Sequence, residues 1–288
     1  MQFSTSVSKH YSDYDINPNE SAKFVYAHDE AIENVQDKII QLYEKDKYRV
    51  YFVRQLQVLF EKEHFHWITA NALLRLEKVG YLKKFPMKRR QGGPIHFYVH
   101  RHNRYPKREI NRKLKIVEEY SQEHIMRSCG LRAEDIFCAA FALHGFMPVK
   151  RNTRSYKKRR WRKTDHDLDF IFEKDNVSYG CELKNSLSYI NKVEPEIKLD
   201  ICHFLKIRPL FVMRMAPKTY IHMINKLGGY ALIFKYQLYD LSQIKVVTRI
   251  KEELGLPVDC PRAIYEGTMQ RLEKWHKKNV NLKKNSQR

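Results

Sequence analysis

The sequence has no C-x-x-C pair. Its five cysteines (Cys129, Cys138, Cys181, Cys202 and Cys260) are scattered and mostly flanked by apolar residues. That spacing excludes a zinc ribbon and leads us to expect reduced core thiols of a cytosolic protein. Glycine and proline are sparse, 10 each in 288 residues, while 43% of the chain is hydrophobic, which is a globular composition and not a disordered one. No stretch approaches the roughly 20 apolar residues of a membrane helix. The opening residues, MQFSTSVSKHYSDYD, lack the apolar run of a signal peptide. We therefore expect a cytoplasmic or nucleoid-associated protein that does not enter a membrane. No internal repeat is visible, and the length suffices for one large domain or two ordinary ones.

Acidic residues are nearly absent from two places. Residues 83–115 hold twelve Lys/Arg against a single acid, Glu109, and residues 150–163 hold nine against none. These two blocks carry nearly all of the net charge of +21. Charge this concentrated implies a polyanionic partner, of which nucleic acid is the usual one. The first block contains Gly92-Gly93 and the second contains Tyr156 and Trp161, unlike a plain solvated lysine run.

Residues 1–28 are polar and are expected to form a flexible arm. Ile32, Val35, Ile39 and Leu42 mark the stripe of a first helix. Val53, Leu56, Leu59 and Phe60 mark a second, over about residues 50–62. Trp67, Leu73, Leu74 and Leu76 mark a third, with Thr69 at its start and Gly80 at its left-handed end. Strands are expected at 81–85 and 95–99, joined by PMKRRQGGP. The pattern W-x-T-x-x-x-L-x-x-L-E-x-x-G-Y-L, from Trp67 to Leu82, resembles the winged helix-turn-helix family over residues 30–100. The resemblance implies a DNA-binding domain over residues 29–105. Its third helix would offer Thr69, Asn71 and Arg75 to the major groove, and its wing would offer Lys88, Arg89 and Arg90 to the backbone or minor groove. His100 and His102 have no further ligands around them and read as surface histidines near phosphate.

A basic linker helix is expected at 106–128. A second domain follows at 129–260, then a C-terminal helix and basic tail at 261–288. The second domain opens on a helix at 131–146, buried through Ile136, Phe137, Ala140 and Leu143. Residues 147–165 then lead to a strand, DLDFIF (167–172). Asp175-Asn176 turns the chain, and a strand ending YGCELK (179–184) returns. A helix over about 194–205 follows, with Ile197, Ile201 and Phe204 as its face. A strand at 210–213, a helix at 217–227 and a strand at 230–234 complete a mixed sheet with helices on its faces. The expected fold class is α+β and α/β.

Charges sit inside the apolar hairpin. Residues two apart in a strand share a face, so Asp167 pairs with Asp169, and Glu182 with Lys184. Charges are seldom buried unless paired or bound to a metal. Asp169, then Glu182, then Lys184, in the order helix, hairpin, helix, strand, helix, strand, resembles the PD-(D/E)xK nuclease superfamily of restriction endonucleases and junction resolvases. Leu168 stands where that family often has proline, and Asp167 remains a rival ligand to Asp169. The resemblance implies a restriction-endonuclease-like α/β/α domain. Asp169 and Glu182 would hold Mg²⁺ (or Mn²⁺ in its place) with the carbonyl of Leu183, and Lys184 would serve the attacking water or the developing charge. Glu134, on the first core helix, would assist. Lys157, Lys158, Arg159 and Arg160 would track phosphates. The expected activity is Mg²⁺-dependent cleavage of duplex or branched DNA by a homodimer, alone or with other DNA-processing proteins. The alternative is a non-catalytic DNA-binding regulator that uses the nuclease-like fold to dimerise. Glu196 and Lys198 are expected on an exposed helix face.

Overall fold

The computed structural model describes residues 25–188 and 193–285, so most of the expected N-terminal arm and the last three residues lie outside it. The chain is a mixed α and β protein that divides into two compact units between Gln122 and Glu123, with residues 253–256 joining the first.

The first unit runs α1 (Val25–Lys45), β1 (Val50–Phe52), α2 (Val53–Phe60), α3 (His66–Lys78), β2 (Leu82–Met87), β3 (Ile95–His100) and α4 (Lys107–Tyr120). Its sheet has the order β1-β3-β2, antiparallel throughout. Val35, Ile39 and Tyr43 of α1 pack against Leu56 of α2 and Ala72, Leu73 and Leu76 of α3. The Tyr43 hydroxyl donates to the carbonyl of Tyr98 at 2.7 Å, fixing α1 to β3. Gly80 ends α3 at φ 71°. Its N–H bonds to Glu77 O and that of Tyr81 to Leu76 O, the paired closure that a left-handed glycine permits.

Several expectations change here. Residues 50–52 are a strand, not the first turn of a helix. Val-Tyr-Phe is a β-branched and aromatic run that pairs with Val99, Tyr98 and Phe97, and the Gln55 side chain accepts from Phe52 N to start α2. The helix phase shifts accordingly, and Leu59 is exposed. Trp67 and Leu74, seven residues apart on α3, lie partly in solvent, while Ile68, Ala72, Leu73 and Leu76 form its buried stripe. His100 is buried, stacked edge-on with Tyr81 and His102, and burial lowers its pKa, so it is no surface group.

The expected 106–128 linker is two helices. The hydrogen bonds of α4 close at Ser121 N to Val117 O. Its apolar residues Ile110, Ile116 and Val117 are buried. Lys113 of α4 is buried too, and its Nζ donates to Val50 O at 2.5 Å. Burial pulls its pKa from 10.5 to about 8, against the attraction of Glu109. The unfolded chain then binds more protons than the fold above about pH 8, so this lysine's contribution to stability rises with pH until about 10.5. Comparing urea unfolding of wild type and Lys113→Met at pH 7 and pH 9.5, we expect the difference to move toward wild type by on the order of 2 kcal/mol. A difference independent of pH would refute the burial of a charged amine here.

The second unit comprises α5 (Glu123–Leu143), β4 (Met147–Thr153), β5 (Ser155–Tyr156), β6 (Arg159–Arg160), β7 (Leu168–Lys174), β8 (Val177–Lys184), α6 (Val193–Leu205), β9 (Arg208–Met213), α7 (Lys218–Lys226), β10 (Tyr230–Ile233), β11 (Gln237–Leu238), α8 (Ile244–Arg249), β12 (Val258–Asp259) and α9 (Glu266–Asn285). The main sheet has the order β10-β9-β8-β7-β4. Strands β4, β7 and β8 are antiparallel, and β8, β9 and β10 are parallel. Phe170, Phe172, Tyr179, Cys181, Leu183, Leu210 and Val212 face Ala133, Phe137 and Phe141 of α5 and Met269 and Leu272 of α9. Ile171 faces α6, and Phe211 and Met213 face Leu199 of α6 and Ile224 of α7. All five cysteines are free thiols.

Residues 147–165 are more than a link. They supply β4, an edge strand of the main sheet, and the small β5–β6 hairpin. The run Met-Pro-Val-Lys-Arg-Asn-Thr has no apolar alternation because β4 is exposed along almost its whole length. It pairs through its backbone, with a register shift between Pro148 and Lys150, and edge strands commonly carry such bulges, prolines and charges. Helix α5 begins eight residues earlier than expected, running through Gly130. Leu143 lies at its far end, 87% exposed, so Phe141 fills the core position that Leu143 was expected to fill.

Candidate active site

The β7–β8 hairpin closes through Asp175 and Asn176, both at positive φ (49° and 60°). A two-residue hairpin turn requires this conformation, and asparagine and aspartate tolerate it. From Lys174↔Val177 the strands pair as far as Phe170↔Cys181. The next step of the same register sets Asp169 opposite Glu182. There a side chain takes over the hydrogen bonding, and Asp169 Oδ2 accepts from Leu183 N at 2.6 Å. Leu183 thus enters the site through its amide.

Alternation turns Cys181 and Leu183 toward α5 and leaves Gly180, Glu182 and Lys184 toward α6. A Cβ on Gly180 would stand 2.7 Å from Cys202 Sγ, 2.8 Å from Leu168 Cδ1 and 2.9 Å from Ile207 Cδ1. Only glycine lets α6 come this close to β8, and that closeness brings Lys198 of α6 onto Glu182. Glu182 is 2% exposed. Its Oε1 lies 3.0 Å from Lys184 Nζ and its Oε2 2.7 Å from Lys198 Nζ. The second approach is an ion pair without hydrogen-bond alignment, which leaves Oε2 a buried acceptor with no hydrogen bond. Lys198 also donates to the carbonyl of Asp167, and Lys184 reaches Glu194 Oε1 at 2.7 Å.

The electrostatics follow. Burial, then the Glu182 carboxylate, pushes Asp169 up to about 7, against the Leu183 N–H, Lys198 and Lys184. Burial works to lower the Lys184 pKa, but Glu182 and Glu194 outweigh it and hold the amine well above its usual range. Glu194 is lowered because Lys184 overcomes its own burial. The Asp169 carboxylate, disfavoured by its neighbour, and the Glu182 carboxylate, met by two lysines, are hard oxygen donors of the kind that suits a small divalent cation. No group of three or more His, Cys, Asp or Glu side chains converges among the described residues, so an ion held here would take its remaining ligands from backbone, water or substrate.

Asp169, Glu182, Leu183 and Lys184 come together. Two other candidates do not join them. Arg151 Nη2 donates to Glu134 and to Asp135, each at 3.0 Å, which engages Glu134 with β4. The Asp167 carboxylate faces Arg154 Nε at 3.7 Å. It lies just before β7, where strand alternation no longer ties it to Asp169. Lys198 and Glu194 are the partners that sequence reasoning missed. Lys198 is buried, contrary to the exposed face expected. Lys198, Ile201, Cys202 and Leu205 form the buried stripe of α6 and Phe204 is partly exposed, one position out of phase with the expected face. A lysine at a core position of that stripe was the available signal.

The basic candidates separate as well. Thr69 is fully buried in the first turns of α3, which starts at His66, so it neither caps that helix nor meets a ligand. Asn71 is half-buried, and Arg75 is ion-paired with Asp29. Lys88 and Arg90 are exposed, whereas Arg89 folds back on its own loop, Nε to Gly93 O at 2.7 Å. Lys157, Lys158 and Arg160 are exposed, and Arg159 Nη1 donates to Phe204 O at 2.8 Å.

No family model matches the chain, and neither the curated proteins nor the solved structures provide a match.

Proposed function

We propose that the protein is a divalent-metal-dependent endonuclease acting on DNA. In this reading the first unit is a winged helix-turn-helix module that grips duplex, and the second carries a PD-(D/E)xK-type site. The convergence of Asp169, Glu182 and Lys184 where the β7–β8 ladder opens, with the Asp169 carboxylate disfavoured by burial and by Glu182, carries the proposal. Asp169 and Glu182 would hold Mg²⁺ or Mn²⁺. When bound, the ion supplies charge neutralisation at a phosphate and a lowered pKa for water. Lys184, held protonated by Glu182 and Glu194, offers a fixed positive charge to the pentacovalent phosphate. Lys198, 2.7 Å from Glu182 Oε2, would hold that carboxylate in place. Two DNA strands call for two such sites, so we expect a homodimer.

A second reading has one observation in its favour. Two lysines already compensate Glu182, as in a purely structural ion-pair network. The protein would then be a non-catalytic DNA-binding regulator. Incubation with supercoiled plasmid separates the two. The nuclease reading expects nicked or linear DNA with Mg²⁺ or Mn²⁺ and none with EDTA. Intact plasmid under all conditions, from protein that still binds DNA, would leave the regulator.

A further inference from the structure

The β5–β6 hairpin is more ordered than a solvated charge run needs to be. Tyr156 ends β5 and Trp161 follows β6, and both are buried, packed with Leu168, Ile171, Ile201, Cys202 and Leu205. The Tyr156 hydroxyl bonds to the Glu173 carboxylate of β7 and lies 2.8 Å from Ser178 Oγ of β8. Trp161 Nε1 donates to Thr164 Oγ1 at 2.9 Å, and its ring meets Phe204 edge-on. Arg159 bonds to the last turn of α6. The hairpin is therefore fastened to the strands and the helix that carry Asp169, Glu182 and Lys198.

What it exposes is cationic, Lys157, Lys158 and Arg160, and the exposed Arg162 and Lys163 follow directly after it. Its two-residue tip is Lys157-Lys158, and Lys157 sits at φ 50°, a conformation that favours glycine. A lysine thus stands at the tip where glycine would fit with less strain. Lys157 Nζ also lies 5.2 Å above the Tyr156 ring, which steadies its stem. The hairpin's two aromatic rings are turned inward, so it has no platform on which unstacked bases could lie. Phosphates of an intact helix need only fixed cations.

We infer that this hairpin is a rigid phosphate clamp for duplex DNA that discriminates against single strands. The inference deepens the nuclease reading and rests on it for one point alone, the location of the clamp relative to the cut. From Lys198 to Phe204 is six residues of α6, about 9 Å of helix axis. That corresponds to two or three base-pair steps of about 3.4 Å, so the clamped phosphates lie close to the one at Glu182.

The test is binding in EDTA, where nothing is cut, using labelled 30-mer duplex and the same strand alone. The tip variant is Lys157→Gly/Lys158→Ser in the full chain, with glycine compatible with the turn. Duplex affinity should fall roughly five- to tenfold at 0.1 M salt, and the salt dependence should flatten by about two phosphate contacts, with a clearly smaller loss on the single strand. A Lys157→Arg variant should keep duplex affinity. Equal losses on duplex and single strand, or no loss on either, would overturn the inference. Because binding is read without metal, a wild type that never cuts sinks the nuclease reading and leaves the clamp standing. Unchanged duplex affinity in the tip variant does the reverse.

Discussion

Plasmid cleavage by Asp169→Asn is expected to fall at least about a hundredfold below wild type, the range seen when an electrostatic contributor to a transition state is removed, while the melting temperature holds or rises. Asparagine has the same shape and still accepts the Leu183 N–H through its side-chain carbonyl, so the opening of the ladder survives. The charge that disappears is one the fold resists, since burial and Glu182 raise the Asp169 pKa to about 7. A site that exists for stability would gain from this exchange and lose nothing. A site that holds a divalent ion loses an anionic oxygen. Duplex binding in EDTA should match wild type, which separates loss of chemistry from loss of DNA. Lys184→Ala should be equally inactive. If Asp169→Asn cuts at the wild-type rate, Asp169 is not a ligand and the assignment of the site fails.

The parts of the site written in strand alternation were legible. Alternation put Glu182 and Lys184 on one face, Asp175-Asn176 marked the turn, and Gly80 marked the end of α3. The parts held by tertiary contact were not. Strand β4 shows no pattern because its side chains bury almost nothing, and β1 is three residues long and runs straight into a helix. The phase of α6 was set by Ile197 and Phe204, which concealed Lys198 on the buried stripe. Thr69 looked like a helix cap because the true start, His66 preceded by Phe65, carries no capping side chain. Glu134 held the expected place in the order of elements. Order along the chain does not specify which cation a long side chain will meet, and Arg151 comes from a strand invisible to periodicity. Tyr156 and Trp161 stand among the basic residues of the second block, and their inward packing makes them anchors of the hairpin.

Glu182→Gln is expected to cost about 3–5 kcal/mol of stability, because removing one member of a buried ion network leaves its partners uncompensated. Lys184 keeps Glu194 at 2.7 Å, so the cost falls mainly on Lys198, which retains the Asp167 carbonyl and the more distant charges of Asp169 and Glu194. Glu182→Gln/Lys198→Met should therefore recover most of the loss, and the coupling from the double-mutant cycle, read by urea unfolding, should exceed about 1 kcal/mol. Additive losses would mean that Lys198 and Glu182 do not act as a pair. The same proteins also distinguish structure from function. A ligand that binds the folded state alone raises the melting temperature by mass action, so Mg²⁺ should stabilise wild type and leave Glu182→Gln/Lys198→Met unmoved. A network serving stability alone would give the coupling with no response to Mg²⁺ in either protein. Coupling together with a wild-type Mg²⁺ shift is the combination that makes one buried carboxylate both a structural anion and a metal ligand.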